Sequence, residues 1–295
     1  MLRKRSVTPF QYGGQAVIDG VMMRGPQGIA TAVRVGEEIV VRKEDVAPWT
    51  EAFSFFRWPL IRGTVVLLES LVLGIKSLSL SASLVSGEDG GESLGALEIG
   101  LTVSFAVLFA TGLFILLPTW LGHIARFQVG IFGQNVIEGV TRLGIFLLYL
   151  LVIRRFEDIR RVFQYHGAEH KVINTYEEGA DLTVEEVARR SCLHPSCGTS
   201  FLLIVLVISI LVFALVGNGP WWWKFGARLL LLPLIAGLGY EFIRCSRRYR
   251  DRMGLLIAPG LWLQKLTTGE PDAGQIEVAI SAFKCVLVSP AAPGE

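Results

Sequence analysis

The chain predicts an α-helical polytopic membrane protein with about four spans, one interfacial or re-entrant helix, a small N-terminal β unit and a cytoplasmic helical insert. Three observations carry this class. Hydrophobic residues make up 52% of the 295 positions and charged ones only 18%, with a mean hydropathy of +0.50, which is unlike a large soluble protein. Several runs approach the roughly 20 apolar residues that cross a bilayer. The basic residues are also bunched in particular inter-span segments rather than spread evenly.

Residues 1–59 read as a cytoplasmic β unit. Arg3, Lys4 and Arg5 are followed by no apolar stretch, so a cleavable signal peptide is not expected. Extended runs at 14–19, 29–35 and 38–41 are punctuated by turn residues at 24–28 and at Gly36-Glu37, as in a short meander. Residues 60–84 are apolar but carry Glu69 and Lys76 on one helical face, with serines at 77, 79, 81 and 83. A charge in mid-bilayer costs about 2.5–3.5 kcal/mol even on lenient scales, so this stretch is expected to lie in the interface or to be re-entrant. The acidic, Gly-rich 86–95 reads as a linker.

The first pair of spans falls within 96–153, as runs 96–121 and 140–153, the second extended back towards Val136 through Glu138. The second pair falls within 200–244, as 201–216 and 229–243, the latter with Pro233 and Glu241. Between the pairs, 154–199 forms the insert: a helix continuing the span over 155–176, a turn at 178–181, and a short helix from Thr183. Thr183 with Glu186 three residues on is a capping-box signature. Residues 245–295 hold an amphipathic surface segment at 260–266 and a terminal helix at 275–287.

Orientation is set by charge. Arg154, Arg155, Arg160, Arg161, Arg189, Arg190 and the cluster Arg244, Arg247, Arg248, Arg250, Arg252 contrast with links 122–135 and 217–225, which hold only Arg126 and Lys224. The positive-inside rule places the basic segments and both termini in the cytoplasm, in a multi-pass protein of the plasma (inner) membrane. Trp221, Trp222 and Trp223 then form an outer interfacial belt. The four cysteines, Cys192, Cys197, Cys245 and Cys285, lie on the reducing side, which leaves metal ligation or burial rather than disulfides. A net charge of +2 makes no case for nucleic acid. The bilayer is the one partner composition implies, and oligomeric state is not specified.

The chemistry concentrates in His166-Gly-Ala-Glu169-His170. Positions i and i+4 share a helix face, so both imidazoles reach one divalent ion, and the spacing matches the inverted zincin H-x-x-E-H, whose Glu polarises a metal-bound water. The bland alternative is an exposed polar helix surface beside a span. A second segment, Cys192-Leu-His194-Pro-Ser-Cys197-Gly198, offers His194, Cys197 or Cys192 as further ligands, since zinc takes nitrogen, sulfur and carboxylate oxygen. Pro195 and Gly198 equally suit a sharp turn into a helix. Glu241 at the end of the last span completes the metal shell, pairs with Arg244 or reaches the interface. His123 is alone in an outer link.

Three readings stand. A zinc-type hydrolase at the cytoplasmic membrane face uses His166, His170, His194 and Cys197 as ligands and Glu169 as base, on a peptide, lipid headgroup or isoprenoid phosphate that the sequence does not choose. A non-catalytic assembly or regulatory protein holds a structural metal or none. A transporter ranks last: it needs polar groups facing one another in the spans, 201–216 offers only Ser209, and no internal repeat is visible.

Tyr165-His166-Gly-Ala-Glu169-His170-Lys171 and His194-Pro-Ser-Cys197-Gly-Thr-Ser200, with 14–24 and 259–268, resemble the YqhQ-like bacterial membrane proteins. That family's domain is of unknown function and is often labelled a predicted metal-dependent enzyme. The resemblance implies a membrane location and the same His/Glu pattern. Asp19 stands where the family usually has Glu, which raises a carboxylate from the β unit as a further ligand, and Ser196 stands where a basic residue is common.

Overall fold

The computed structural model describes residues 12–87, 96–195, 197–215, 220–248 and 253–287. The N-terminal basic triplet, most of the acidic linker, Ser196, Arg250 and Arg252 lie outside the described residues.

The β unit is a four-stranded antiparallel meander, β1 (Gly13–Val17), β2 (Gly20–Gly25), β3 (Gly28–Val35) and β4 (Glu38–Asp45), in sequential order. The extended run expected over 14–19 ends two residues early. The chain reverses at Ile18-Asp19, where Asp19 takes φ 48°, a left-handed conformation that Asp tolerates better than branched residues. Side-chain alternation then gives the sheet two buried faces. Val21, Met23, Ala30 and Ala32 pack on Tyr165, Ala168 and Val172 and on Ile276, Ala279 and Phe283. Val17, Met22, Ile29 and Val33 pack on Leu73. The first set faces α4 (Glu157–Glu177) and α9 (Ala273–Val286), and Leu73 belongs to α1 (Ile61–Val85). The sheet is therefore a filling between helices, which explains why β2 and β3 are apolar on both sides.

α1, expected as an interfacial or re-entrant helix, is a single unbroken helix of 25 residues, long and apolar enough to cross a membrane. The charge of Glu69 does not stand alone: Arg24 Nη2 lies 2.9 Å from one carboxylate oxygen, and the Trp49 N–H donates to the other at 3.0 Å. Reasoning from an isolated charge misses a partner 45 residues away. Towards its C-terminal end α1 lies on the sheet, with Ser77 at 3.4 Å from Thr31 and Ser81 accepting the Ile18 N–H at 3.2 Å. At its start it crosses α7 (Trp221–Arg248) through two glycines. A Cβ on Gly63 would meet Tyr240 Cβ at 2.6 Å, and one on Gly237 would meet the Leu60 carbonyl at 2.4 Å.

α2 (Ala96–Thr111) runs through a π-helical turn at Gly112–Leu116 into α3 (Leu117–Ile153). The apolar stretches Gly100–Ile124 and Gly133–Ile153 lie against each other: Gly122 abuts Glu138 and the Phe114 ring lies 6.0 Å from Tyr149. α6 (Gly198–Ala214) has 17 residues and falls among the shorter apolar helices. Among the described residues four helical stretches have crossing length, the fourth being Phe225–Ser246. The expected run 201–216 corresponds to the shorter α6, and α1, expected at the interface, has crossing length.

Polar groups in the apolar helices find partners across helices. Glu138 of α3 and Arg228 of α7 form an ion pair, Gln134 donates to Glu138 at 2.9 Å, and Arg142 Nε donates to the Phe114 carbonyl in the π turn at 2.8 Å. Scanning 201–216 alone hides this cluster, because its members come from different helices. The insert is likewise not a continuation of the span: the chain breaks at 154–156, with Phe156 extended. α4 starts at Glu157 and Asp158, whose charges suit a helix N-terminus. Thr183 caps the short α5 (Val184–Ala188) by accepting the Glu186 N–H. α8 (Gly254–Thr267) packs Gly260 against Ser200 of α6.

Candidate metal centre

α4 is amphipathic, and its buried stretch contains both histidines' turn of helix, including Tyr165, Gly167–Ile173 and Thr175. Gly167 sits in the motif for a packing reason. The C-terminal segment crosses α4 there, with Gly269 N–H donating to Phe163 O at 2.7 Å, and a Cβ on Gly167 would lie 2.0 Å from the Gly269 carbonyl. This crossing brings α8's last turn over the histidines.

Each imidazole is held by a carbonyl. His166 Nδ1 is 2.8 Å from Thr267 O, and His170 Nδ1 is 2.5 Å from Cys192 O. A carbonyl only accepts, so both Nδ1 atoms carry the proton and both Nε2 atoms present a lone pair. His166 Nε2 lies 3.2 Å from Cys197 Sγ, and the Cys197 thiol also bonds the His170 ring. The two rings are 4.4 Å apart and inclined at 64°. One ligand atom from each of His166, His170 and Cys197 lies within 4.8 Å of the other two. Zinc bonds of about 2.0–2.3 Å put tetrahedral ligand atoms roughly 3.3–3.8 Å apart, close to the His166–Cys197 separation. Burial also holds the His170 pKa below the usual imidazole range, favouring the neutral form a ligand requires.

Cys197 is the N-cap of α6 and accepts the Thr199 N–H at 3.4 Å. The loop before it is fixed by Gln264 of α8. That amide accepts the His194 N–H and donates to His194 O, both at 2.8 Å. It also donates to Ser200 Oγ at 2.8 Å. His194 stands beside the three-donor group rather than in it: its ring is 5.8 Å from that of His170, and its Nε2 is 3.4 Å from Glu177.

Glu169 reaches β1, where it accepts the Gly14 N–H, and is 5% exposed. Burial raises its pKa, opposed by His166, His194 and the Gly14 N–H. It lines a cavity of about 800 Å³ that also reaches His166, His170 and Cys197. A buried carboxyl with raised proton affinity next to three metal-type donors and an open volume is the arrangement a general base needs.

The remaining sequence candidates lie elsewhere. Asp19 pairs with Arg161 at 2.5 Å, so the β unit supplies the Gly14 N–H rather than that carboxylate. Cys192 donates to Glu270 at 3.2 Å, and burial pushes its pKa up to about 12; only its carbonyl serves the site. Glu241 pairs with neither Arg244 nor the cluster but with Arg62, at 2.6 and 2.5 Å. Thr267, Gln264 and Gly14 escape sequence reading, since two act through backbone atoms and the third is one Gln among ordinary helix residues.

Among the described residues, fold and site define a mostly helical protein with four helices of membrane-crossing length, a small antiparallel sheet and a His–His–Cys donor group. The model of a family described as a protein of unknown function, DUF1385, matches residues 58–289. The chain is 36% identical over 305 residues to the uncharacterized protein YqhQ of Bacillus subtilis (strain 168), covering 97% of this chain and 95% of that protein. The chain belongs to this YqhQ-like family. No solved structure matches it.

Proposed function

We propose that this protein is a metal-dependent hydrolase of the zinc type, seated in the plasma membrane with its donor group on the cytoplasmic side. The observation that carries the reading is the pair of carbonyl-locked imidazoles, His166 and His170, whose free Nε2 atoms face the Cys197 thiol. Metal-binding histidines characteristically hand their other N–H to a carbonyl or carboxylate. Three protein donors beside an open volume are the ligand count of a catalytic site; structural sites are closed by four.

A divalent ion held there supplies Lewis acidity and makes water acidic near neutral pH. His166, His170 and Cys197 would hold it in place. Glu169, raised in pKa and bordering the same cavity, takes the proton from the attacking water and returns it to the leaving group. The Gly14 N–H and the neighbouring histidines keep its charged form accessible.

Membrane seating rests on the apolar helices: in the crossing window of Gly100–Ile124 no residue is buried by the protein itself. The basic run Arg154, Arg155, Arg160 and Arg161 at the α3–α4 junction supports a cytoplasmic side for the donor group.

The test is elemental analysis of purified protein with an in-cell assay. Wild type and Glu169→Gln are expected to carry about one zinc, iron or manganese per chain, and His166→Ala, His170→Ala and Cys197→Ser to lose it. Glu169→Gln is expected to fail in complementing a deletion strain. Wild type without stoichiometric metal overturns metal binding; metal-replete Glu169→Gln with full complementation overturns catalysis.

A further inference from the structure

The segment before α1 doubles back along it as the second arm of a hairpin. It holds two 3-10 turns, Trp49–Glu51 and Ser54–Arg57, and both lie against α1. The Trp49 N–H donates to Glu69 at 3.0 Å. The chain reverses at Pro59-Leu60, where Leu60 takes φ 70°, a strained conformation for a bulky residue. α7 holds the reversal in place. The Leu60 N–H donates to Glu241, Arg62 pairs with the same carboxylate, and Thr64 Oγ1 donates to Pro233 O at 2.8 Å.

The two ends of α1 have different surroundings. Its first turn meets Gly237 and Tyr240, and Gly237 lies near the middle of the crossing stretch Phe225–Ser246. From Glu69 onward α1 lies on the sheet, against Arg24, Glu44, Thr31 and Ile18. β4 of that sheet exposes Glu38, Arg42, Lys43 and Asp45, charges that belong in water. A helix that starts beside the middle of α7 and ends on a water-facing sheet offers only its first turns to the bilayer, whatever its full length.

The hairpin surface suits that placement. Phe53, Trp58, Leu68 and Leu71 are exposed at half or more of full accessibility, an apolar concentration that marks contact with a membrane or a partner. Trp49 and Trp58 stand at the two ends of the arm, and indole rings settle where headgroups meet chains. Glu51 and Arg57 are exposed on the same arm. At that depth both reach headgroups or water, Arg57 along its apolar stem, whereas the chain region would exclude them.

We propose that residues 49–72 insert as a hairpin into one leaflet, on the donor group's side, and that lipid at the boundary between headgroups and chains covers their exposed face. α1 then does not cross the bilayer. The inference holds whether or not the donor group binds metal. Lipid is favoured over a second copy by continuity: the hairpin's tip touches the crossing stretch of α7, whose Leu229 and Leu230 are themselves exposed. The hairpin also gives Val66, Leu67 and Ser70 to the cavity lining, so a lipid-seated element bounds the volume beside the donor group.

The test uses the full-length protein and two readouts. In bilayers of phosphatidylcholine brominated either near the headgroup or near the chain ends, tryptophan quenching is compared between wild type and Trp58→Phe. The Trp58 share of the emission is expected to be quenched by the shallow bromines and severalfold less by the deep ones. Ser54→Cys is treated with a membrane-impermeant maleimide in intact cells and in inverted vesicles, with the exposed native Cys245 and Cys285 marking the donor group's side. Labelling of Ser54→Cys is expected from their side only, or from neither. Labelling from the opposite side shows that α1 crosses and overturns the proposal. A Trp58 signal that neither lipid quenches overturns it in favour of water or a second copy over the hairpin. Stronger quenching by the deep bromines overturns it by placing the arm among the chains.

Discussion

The Nε2 atom of His166 lies 3.2 Å from the thiol of Cys197, although 31 residues of chain separate them. α4 delivers the imidazole and the N-cap of α6 delivers the sulfur. The segment that turns both inward comes from a third place, the last turn of α8, through Thr267 O and the Gln264 amide. The centre is therefore a junction of three elements.

Gln264 is the side chain on which that junction turns. It is fully buried and bonds His194 twice and Ser200 once. Gln264→Ala strands buried polar groups at about 1–3 kcal/mol each and loosens the Cys197 loop. The expected result is a lower Tm by differential scanning fluorimetry and about 10–100-fold weaker metal binding, the usual effect of losing an outer support. Unchanged metal affinity in a chelator competition would show that the loop holds Cys197 unaided.

Gly167 separates the two histidines from the segment that crosses them. Gly167→Ala places a methyl group 2.0 Å from the Gly269 carbonyl, so the crossing must lift. Overpacking of this kind costs about 1–3 kcal/mol, and the displaced Thr267 carbonyl no longer fixes His166. A lower Tm together with lost metal is expected; Gly198→Ala, whose added methyl meets nothing within 4 Å, serves as the control.

Glu69 is 1% exposed and relies on Arg24. Arg24→Leu leaves a buried carboxylate without its cation, a loss of about 3–5 kcal/mol when one partner of a buried pair is removed. Arg24→Leu with Glu69→Leu is expected to recover most of it. Additive losses in the double variant would mean the two residues stabilise the fold independently.

Protonation acts on the metal-free protein in a defined direction. Burial depresses the His170 pKa, so its neutral ring adds stability that is present above the unfolded value of about 6.5 and is lost as pH falls through the folded value. Chelator-treated protein is expected to lose Tm on acidification below about pH 6.5, and His170→Asn to flatten that slope. Glu169 has the opposite sign: burial raises its pKa, so its contribution is lost as pH rises through the folded value. Glu169→Gln is expected to raise the metal-free Tm at neutral pH, and a lowered Tm there would contradict the buried placement of the carboxyl.

Local physics made much of this chain legible in one dimension. Turn residues and β-branched runs located the meander. Hydropathy located the long helices, and the i, i+4 spacing of His166 and His170 put both rings on one helix face before any contact was known. Thr183 gave the start of α5 for the same reason, since a cap is written within four residues. Only the tertiary structure decided the rest, because it depends on distant groups meeting. Glu69 is tolerated in α1 through Arg24 of β2, Glu138 in α3 through Arg228 of α7, and Glu241 finds Arg62 rather than its sequence neighbour Arg244. The choice of Cys197 over His194 beside the two imidazoles is of the same kind. It follows from where α8 crosses α4, which brings the Thr267 carbonyl to His166, and from the insert loop, which brings the Cys192 carbonyl to His170, and a carbonyl's position leaves no mark on the identity of the residue that bears it.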